Sequence, residues 1–193
     1  GISIGIEGYF KRMTGLTRFV NRQNIIEQKM FLGEGRSKGI DFLVEGEILK
    51  HRILLGYTLS ETIERFDYFQ FPIFVRSPQD QRHEIKTALI LNFDPLYLSA
   101  NYVYGSGFPS RPYQQQAQNI DNLRYSRWDV SATYRFRIKK VGMEFGLSVL
   151  NVLNTKNVKY QDFVQMPFED GAKLNVRAEA IPFTPAIFLI AKF

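Results

Sequence analysis

Apolar and polar residues alternate along most of this chain with a period of two. In the clearest stretch, residues 127–138, every even position is apolar or aromatic, and the odd positions are Arg, Asp, Ser or Thr. Because successive side chains on a strand point to opposite faces, this pattern predicts strands with one apolar and one polar face. We predict eight strands, over residues 2–12, 39–49, 52–60, 83–93, 96–104, 127–138, 141–153 and 185–193.

The connections between these strands alternate between very short and long. Tight turns are predicted at Lys50-His51, Asp94-Pro95 and Lys139-Lys140. The long connections, rich in Gly, Pro, Gln, Asn and charge, cover residues 13–38, 61–82, 105–126 and 154–184. Short turns at one end, long loops at the other and strands of about 9 to 11 residues are typical of outer-membrane barrels. The pattern therefore predicts an all-β fold, a transmembrane antiparallel up-and-down β-barrel.

The residue types on the two faces favour the same interpretation. Aromatic residues of the apolar face lie towards strand ends, where an amphipathic ring suits the depth of lipid headgroups; they include Phe10, Tyr102, Tyr104, Trp128, Phe136 and Phe193. The polar face is often small, as at Gly56, Ser99 and Ser131. Small inward residues suggest a wide lumen, because a tight eight-stranded barrel fills its centre with side chains. A soluble β-sandwich or ligand-binding barrel stays open as the alternative.

Composition narrows the class further. The chain has 193 residues, 45% hydrophobic and 23% charged, so it is expected to fold rather than to stay disordered. No stretch approaches the roughly 18 consecutive apolar residues of a membrane-spanning helix. There is no Cys, which excludes disulfides, thiol nucleophiles and cysteine metal sites. The formal charge of +6 is spread along the chain, so nucleic acid is not an expected partner.

Four motifs carry a family resemblance. They are Gly35–Phe42 (GRSKGIDF), Asp80–His83 (DQRH), Tyr104–Pro109 (YGSGFP) and Asn151–Asn157 (NVLNTKN). Their order and spacing, together with the last strand, resemble the closing part of a TonB-dependent outer-membrane receptor of the sort abundant in Bacteroidetes. That family has a 22-stranded barrel with an N-terminal plug domain inside it. The resemblance implies that residues 1–193 are the C-terminal part of such a barrel, about eight strands ending at the natural terminus, with the plug absent.

The resemblance also implies a function and a location. The protein would be an outer-membrane receptor of a Gram-negative bacterium, taking up a scarce solute of the siderophore, glycan or peptide class with energy delivered through TonB. This chain would supply barrel wall and extracellular loops. Expected partners are membrane lipid and lipopolysaccharide, the TonB system through the plug, and a surface lipoprotein. The alternative within the membrane interpretation is a complete eight-stranded barrel acting as a structural anchor or adhesion protein.

The last strand resembles the C-terminal signal read by the barrel assembly machinery. Strand addition of this kind uses backbone hydrogen bonds for affinity and alternate side chains for specificity. The residues expected to carry the signal are Phe183, Ile187, Leu189 and Phe193. An ordinary hydrophobic strand that happens to end in Phe is the alternative.

Ligand-contacting residues are expected in the loops and on the polar face. The loop candidates Arg111, Tyr113, Gln114 and Gln115 offer stacking and amide hydrogen bonds to a glycan or peptide. On the polar face, Arg127, Asp129 and Arg135 either contact solute or form cross-strand ion pairs and plug contacts. Basic loop residues could meet the phosphates of the outer leaflet; they are Arg18, Arg22 and Lys29.

Catalytic chemistry finds little support. No second His lies near His51 or His83 in sequence, so a satisfied structural histidine is the simpler interpretation of each. Asp80, Arg82 and Glu84 are explained by ion pairs at a strand end. We therefore expect no enzymatic activity, no cofactor and no metal site.

Overall fold

The computed structural model describes residues 1–20, 29–67, 73–108, 124–165 and 173–193. Eleven β-strands account for most of this part of the chain. They are β1 (Ile2–Val20), β2 (Lys29–Ile48), β3 (His51–Phe66), β4 (Val75–Arg76), β5 (His83–Phe93), β6 (Leu96–Gly105), β7 (Tyr125–Ile138), β8 (Val141–Leu150), β9 (Val158–Gln165), β10 (Lys173–Glu179) and β11 (Thr184–Lys192). Within the described ranges, no helix is long and apolar enough to cross a membrane.

Eight of the strands form one antiparallel sheet in the order β1-β2-β3-β5-β6-β7-β8-β11, with β4 added beside β3. Strands β9 and β10 form a separate two-stranded hairpin. The prediction of an all-β antiparallel fold is therefore confirmed. The sheet is open, because β1 and β11 each pair on one side only among the described residues.

Strand register brings the predicted apolar faces together. Val44 of β2 pairs with Ile4 of β1 on one side and with Leu55 of β3 on the other. At the far end of the sheet, Leu147 of β8 pairs with Ile187 of β11. Since directly paired residues share a face, the apolar positions form continuous rows across neighbouring strands. The sheet therefore has one apolar face and one polar face.

The first three predicted strands are longer in the structure, where β1, β2 and β3 extend into the expected loops. β1 and β2 stay paired up to Val20 and Lys29, with a bulge between Thr14 and Leu16. Glycine and charge suggested a loop there. A paired ribbon nevertheless tolerates polar side chains, because its backbone hydrogen bonds are satisfied between the two strands.

Smaller differences occur elsewhere. The strand predicted at 141–153 ends at Leu150, and β9 and β10 lie inside the expected connection 154–184. The first tight turn is at Leu49-Lys50 rather than Lys50-His51, and Leu49 has a φ of 60°. The strand at 83–93 has the predicted bounds, and the turns at Asp94-Pro95 and Lys139-Lys140 are where we expected them.

Candidate functional site

The apolar face is uncovered. Among the described residues the one buried hydrophobic side chain is Phe66, whereas Ile6 is 73% and Ile187 is 70% exposed. Eight strands about 4.8 Å apart, each apolar over about 30 Å, present on the order of 1,000 Å². Soluble monomers rarely expose contiguous apolar patches above a few hundred Å². A surface of this size needs an apolar environment or a partner.

On this apolar face, aromatic residues lie near both ends of the strands. Tyr102 and Trp128, paired across β6 and β7, stack with ring centroids 4.4 Å apart. Towards the other end of β7, the ring centroids of Tyr134 and Phe136 are 6.0 Å apart. The small side chain of Ala132 lies between these two aromatic levels. Outer-membrane barrels carry aromatic residues at two such levels, one at each membrane interface.

The polar face is crossed by hydrogen bonds between small side chains. Ser99 Oγ of β6 lies 2.8 Å from Ser131 Oγ of β7. Nearer the other end of the sheet, the Thr58 hydroxyl of β3 donates to Asp41 Oδ1 of β2 at 2.5 Å. These bonds link neighbouring strands through their side chains as well as through their backbones.

Two glycines of the polar face are covered by rings from the next strand. A Cβ at Gly146 would overlap the ring of Phe188, and one at Gly39 would overlap the ring of Tyr9. Glycine at these positions therefore provides space for an aromatic neighbour.

The candidates Arg127 and Asp129 lie together on the polar face of β7. Arg127 Nη2 is 3.0 Å from Asp129 Oδ2, and Arg127 Nη1 donates to the Tyr125 hydroxyl at 3.1 Å. Asp129 is 8% exposed, and its Oδ1 accepts the Asn151 backbone N–H at 2.9 Å. The pair therefore anchors the chain just after β8, which leaves Asp129 little access to a solute.

Two asparagines of the NVLNTKN motif complete this anchor. Asn151, 1% exposed with a φ of 52°, donates from Nδ2 to the carbonyls of Thr155 and Ile181 and accepts the Thr155 N–H. Asn157 donates to the Ser126 carbonyl and accepts the Ser126 N–H, at 2.8 and 2.7 Å. The motif thus ties the chain after β8 to the start of β7. The motif is visible in the sequence, but these contacts are not.

The third polar-face candidate, Arg135, lies six residues further along β7, roughly 20 Å from Asp129 at the usual rise of a strand. Its Nε is 3.4 Å from Glu144 Oε2, and its guanidinium lies 4.3 Å from the centroid of the Tyr97 ring. Lys192 of β11 reaches the same carboxylate at 3.6 Å. Arg135 and Lys192 therefore bridge strands through Glu144, and the structure does not bring Arg135 together with the other two candidates.

The terminal strand β11 is apolar on both faces. Ile187 and Leu189, 70% and 62% exposed, lie on the apolar face, while Phe188 covers Gly146 on the polar face. The other two predicted signal residues flank the strand, and both are exposed; they are Phe183 and Phe193. All four signal residues therefore lie at the surface, along a strand whose second edge is unpaired among the described residues.

The loop candidates Arg111, Tyr113, Gln114 and Gln115 lie outside the described residues, as does Arg22. Nothing is described of the side chain of Lys29. Arg18 is described, and its Nη2 lies 2.8 Å from Oε1 of the buried Glu64, with its guanidinium 4.5 Å from the Phe66 ring centroid. Arg18 is thus held within the chain.

Beside β3, Asp80 forms a backbone hydrogen bond that the sequence did not predict, in addition to an ion pair. Asp80, 1% exposed, accepts the Thr62 N–H at 2.7 Å and the Arg76 Nε at 2.7 Å. Its carboxylate takes the place of a backbone carbonyl where β3 changes partner from β5 to β4. The DQRH motif therefore has a structural explanation, in line with the ion-paired strand end expected for Asp80.

A second ionic group lies nearby, where the apolar face ends. Glu61 is shared by Lys38 and Arg82, each with a nitrogen 2.9 Å from a carboxylate oxygen. A hydrogen bond from Lys38, and a smaller contribution from the one donated by Arg82, hold the pKa of Glu61 below its ordinary value. The sequence did not predict this group, because Lys38 is on β2, Glu61 is on β3 and Arg82 precedes β5.

Both histidines have partners. His51 Nδ1 accepts the Asn92 N–H at 3.1 Å, and His83 Nδ1 lies 2.9 Å from the Tyr57 hydroxyl. In the part of the chain that the structure describes, no three His, Asp or Glu side chains are grouped so as to hold a metal ion.

Comparisons with known proteins add no relative: no family model matches the chain, and neither the curated proteins nor the solved structures contain a significant match.

Proposed function

We propose that this chain is a section of the wall of an outer-membrane β-barrel, and that the barrel belongs to a receptor of the TonB-dependent type. The observation that carries the proposal is the continuous, uncovered apolar face of an eight-stranded antiparallel meander. Hydrocarbon would cover that face, and the polar face would line the lumen.

The height of the apolar face supports a membrane location. On β7 the outward residues run from Trp128 to Ile138, ten residues or about 33 Å along the strand. A strand tilted by about 40° spans roughly 25 Å of bilayer over that length, which is the height of the apolar band of outer-membrane barrels. A soluble sandwich needs a second apolar layer, and the described residues supply none.

The open edges bear on the size of the barrel. Unpaired backbone groups in hydrocarbon each cost several kcal/mol, so β1 and β11 both need partners. In a larger barrel further strands would pair with each of them. In the alternative, a complete eight-stranded anchor, β1 and β11 would pair with each other. The glycines and small hydroxyl side chains of the polar face favour the wider barrel.

The transport role rests on the resemblance carried by the four motifs. Energised uptake of a siderophore, glycan or peptide would place solute contacts in the loops, since Arg127, Asp129 and Arg135 are engaged in ion pairs. β11 would present the assembly signal, and the TonB system would act through a plug. A surface lipoprotein is the further partner proposed.

The membrane proposal is tested with the single tryptophan. Trp128 lies on the apolar face near the start of β7 and is 38% exposed. In vesicles containing brominated lipids we expect strong quenching of its fluorescence, stronger with bromine near the headgroup than at the chain end. A protein that stays soluble without detergent, with Trp128 unquenched, would contradict the proposal.

Barrel size is tested separately by disulfide crosslinking in isolated outer membranes. Single cysteines at outward positions of β1 and β11, for example Ile4→Cys with Leu189→Cys, are scanned in pairs along both strands. Crosslinks at a consistent register would support the eight-stranded anchor. The absence of crosslinks, with a control pair at Ala132 and Leu147 crosslinking readily, supports the larger barrel.

Uptake is measured separately, as solute-dependent growth that requires TonB.

A further inference from the structure

We propose that a basic rim beyond the apolar face binds the phosphate groups of a phosphorylated lipid in the outer leaflet. The basic rim consists of Arg12, Arg36, Lys38, Arg65, Arg76 and Arg82. The inference rests on the proposed membrane location and adds to it a binding site with a defined ligand chemistry.

Strand register places the rim next to the apolar face on the same strands. Phe10 of β1 pairs with Lys38 of β2, and the next row on this face pairs Arg12 with Arg36. Ile6 lies on the same face of β1, four residues before Phe10. Within about 20 Å along the strands the surface thus changes from isoleucine and phenylalanine to arginine. A molecule with acyl chains and an anionic headgroup matches this order of surfaces.

Charge in the rim is incompletely compensated. Its six cations face three carboxylates: Glu34 pairs with Arg65, Glu61 with Lys38 and Arg82, and Asp80 with Arg76. Arg12 and Arg36 have no carboxylate partner within the described residues. An anion between them would supply the missing charge.

The geometry of these two arginines is unfavourable without an anion. Arg12 and Arg36 are direct cross-strand partners, and like charges placed opposite each other destabilise a sheet. Aromatic rings support both guanidinium groups: Arg12 lies 5.8 Å from the Phe10 centroid and Arg36 lies 4.4 Å from that of Phe74. Stacking leaves the N–H edges of a guanidinium free, and those edges bind phosphate in a bidentate manner.

The test measures lipid binding by the purified protein in detergent. The probes are bisphosphorylated lipid A and the same lipid after removal of both phosphates. We expect the Arg12→Gln/Arg36→Gln variant to bind the phosphorylated lipid at least about tenfold more weakly, because its charge-assisted hydrogen bonds to phosphate are lost. Binding of the dephosphorylated lipid should not change. Arg12→Lys/Arg36→Lys should retain part of the affinity.

Arg137→Gln/Lys139→Gln serves as the matched control, since it removes two exposed charges at the opposite end of the sheet. An equal loss in this control, an equal loss for both lipids, or no loss in the rim variant would overturn the inference. Inorganic phosphate competing at the same concentration as the lipid would also overturn it, since that result describes a bare anion site. Quenching of Trp128 is scored in each variant, so failure of the membrane proposal is distinguished from failure of lipid binding.

Discussion

The two faces of β7 and β8 differ in how their residues are used. On the apolar face Ala132 and Leu147 make few specific contacts and are half-buried or exposed. On the polar face Asp129 is buried and hydrogen-bonded, and Ser131 pairs with Ser99. On these two strands the polar face holds the specific interactions, while the apolar face needs only an apolar environment. Substitutions on the two faces should therefore fail for different reasons.

The largest effect is expected from a charge on the apolar face. Leu147→Arg should lower the free energy of unfolding in lipid vesicles by about 2–4 kcal/mol if the residue lies near the bilayer midplane. Ala132→Arg should behave alike. Ser148→Arg and Thr133→Arg, on the polar face, should lower the free energy of unfolding only slightly. Unfolding by guanidinium, followed through Trp128 fluorescence, measures each value. Equal penalties on both faces would contradict the assignment of the faces.

A smaller loss is expected from breaking the anchor after β8. Asp129→Ala removes the acceptor of the Asn151 N–H and the ion-pair partner of Arg127, which should cost about 1–3 kcal/mol. The same unfolding measurement applies. Asp41→Ala removes a polar-face carboxylate that is less buried, and serves as the comparison. If both variants lost the same stability, the anchor would have no special role.

The next-largest loss of stability is expected when a polar-face glycine is substituted. Gly146→Ala should destabilise the protein by about 1 kcal/mol, because its methyl group must displace the Phe188 ring. Gly56→Ala meets only the Lys86 carbonyl oxygen at 3.8 Å and should be close to neutral. Combining Gly146→Ala with Phe188→Leu should recover part of the loss. A neutral Gly146→Ala would show that the ring does not depend on the glycine.

The smallest effect concerns Glu61. Because hydrogen bonds from Lys38 and Arg82 lower its pKa in the folded protein, its contribution is present above its ordinary pKa and is lost as the pH falls through the lowered one. The contribution should be below about 1 kcal/mol, as for other ion pairs near the surface. Wild type should therefore lose more stability than Glu61→Gln when the pH falls from neutral to about 3. Equal losses would contradict the interpretation.

Sequence reasoning was accurate where the signal is local. The alternation in residues 83–93 and 127–138 predicted strands and faces, because side-chain direction follows directly from extended backbone geometry. It failed for the extended ribbon of β1 and β2, where glycine and charge suggested a loop. It also missed the bonds between Asp80 and the Thr62 N–H and between Asn151 and the Ile181 carbonyl, since these partners are backbone groups distant in sequence.

The sequence by itself determined that this chain forms strands with one apolar and one polar face, because that property depends only on which residue follows which. Tertiary structure alone decided which rows align: that Arg12 lies opposite Arg36, and that Asp129 meets the Asn151 N–H. Register is set by turn geometry and by which apolar rows of neighbouring strands align, so it depends on residues far apart in the chain.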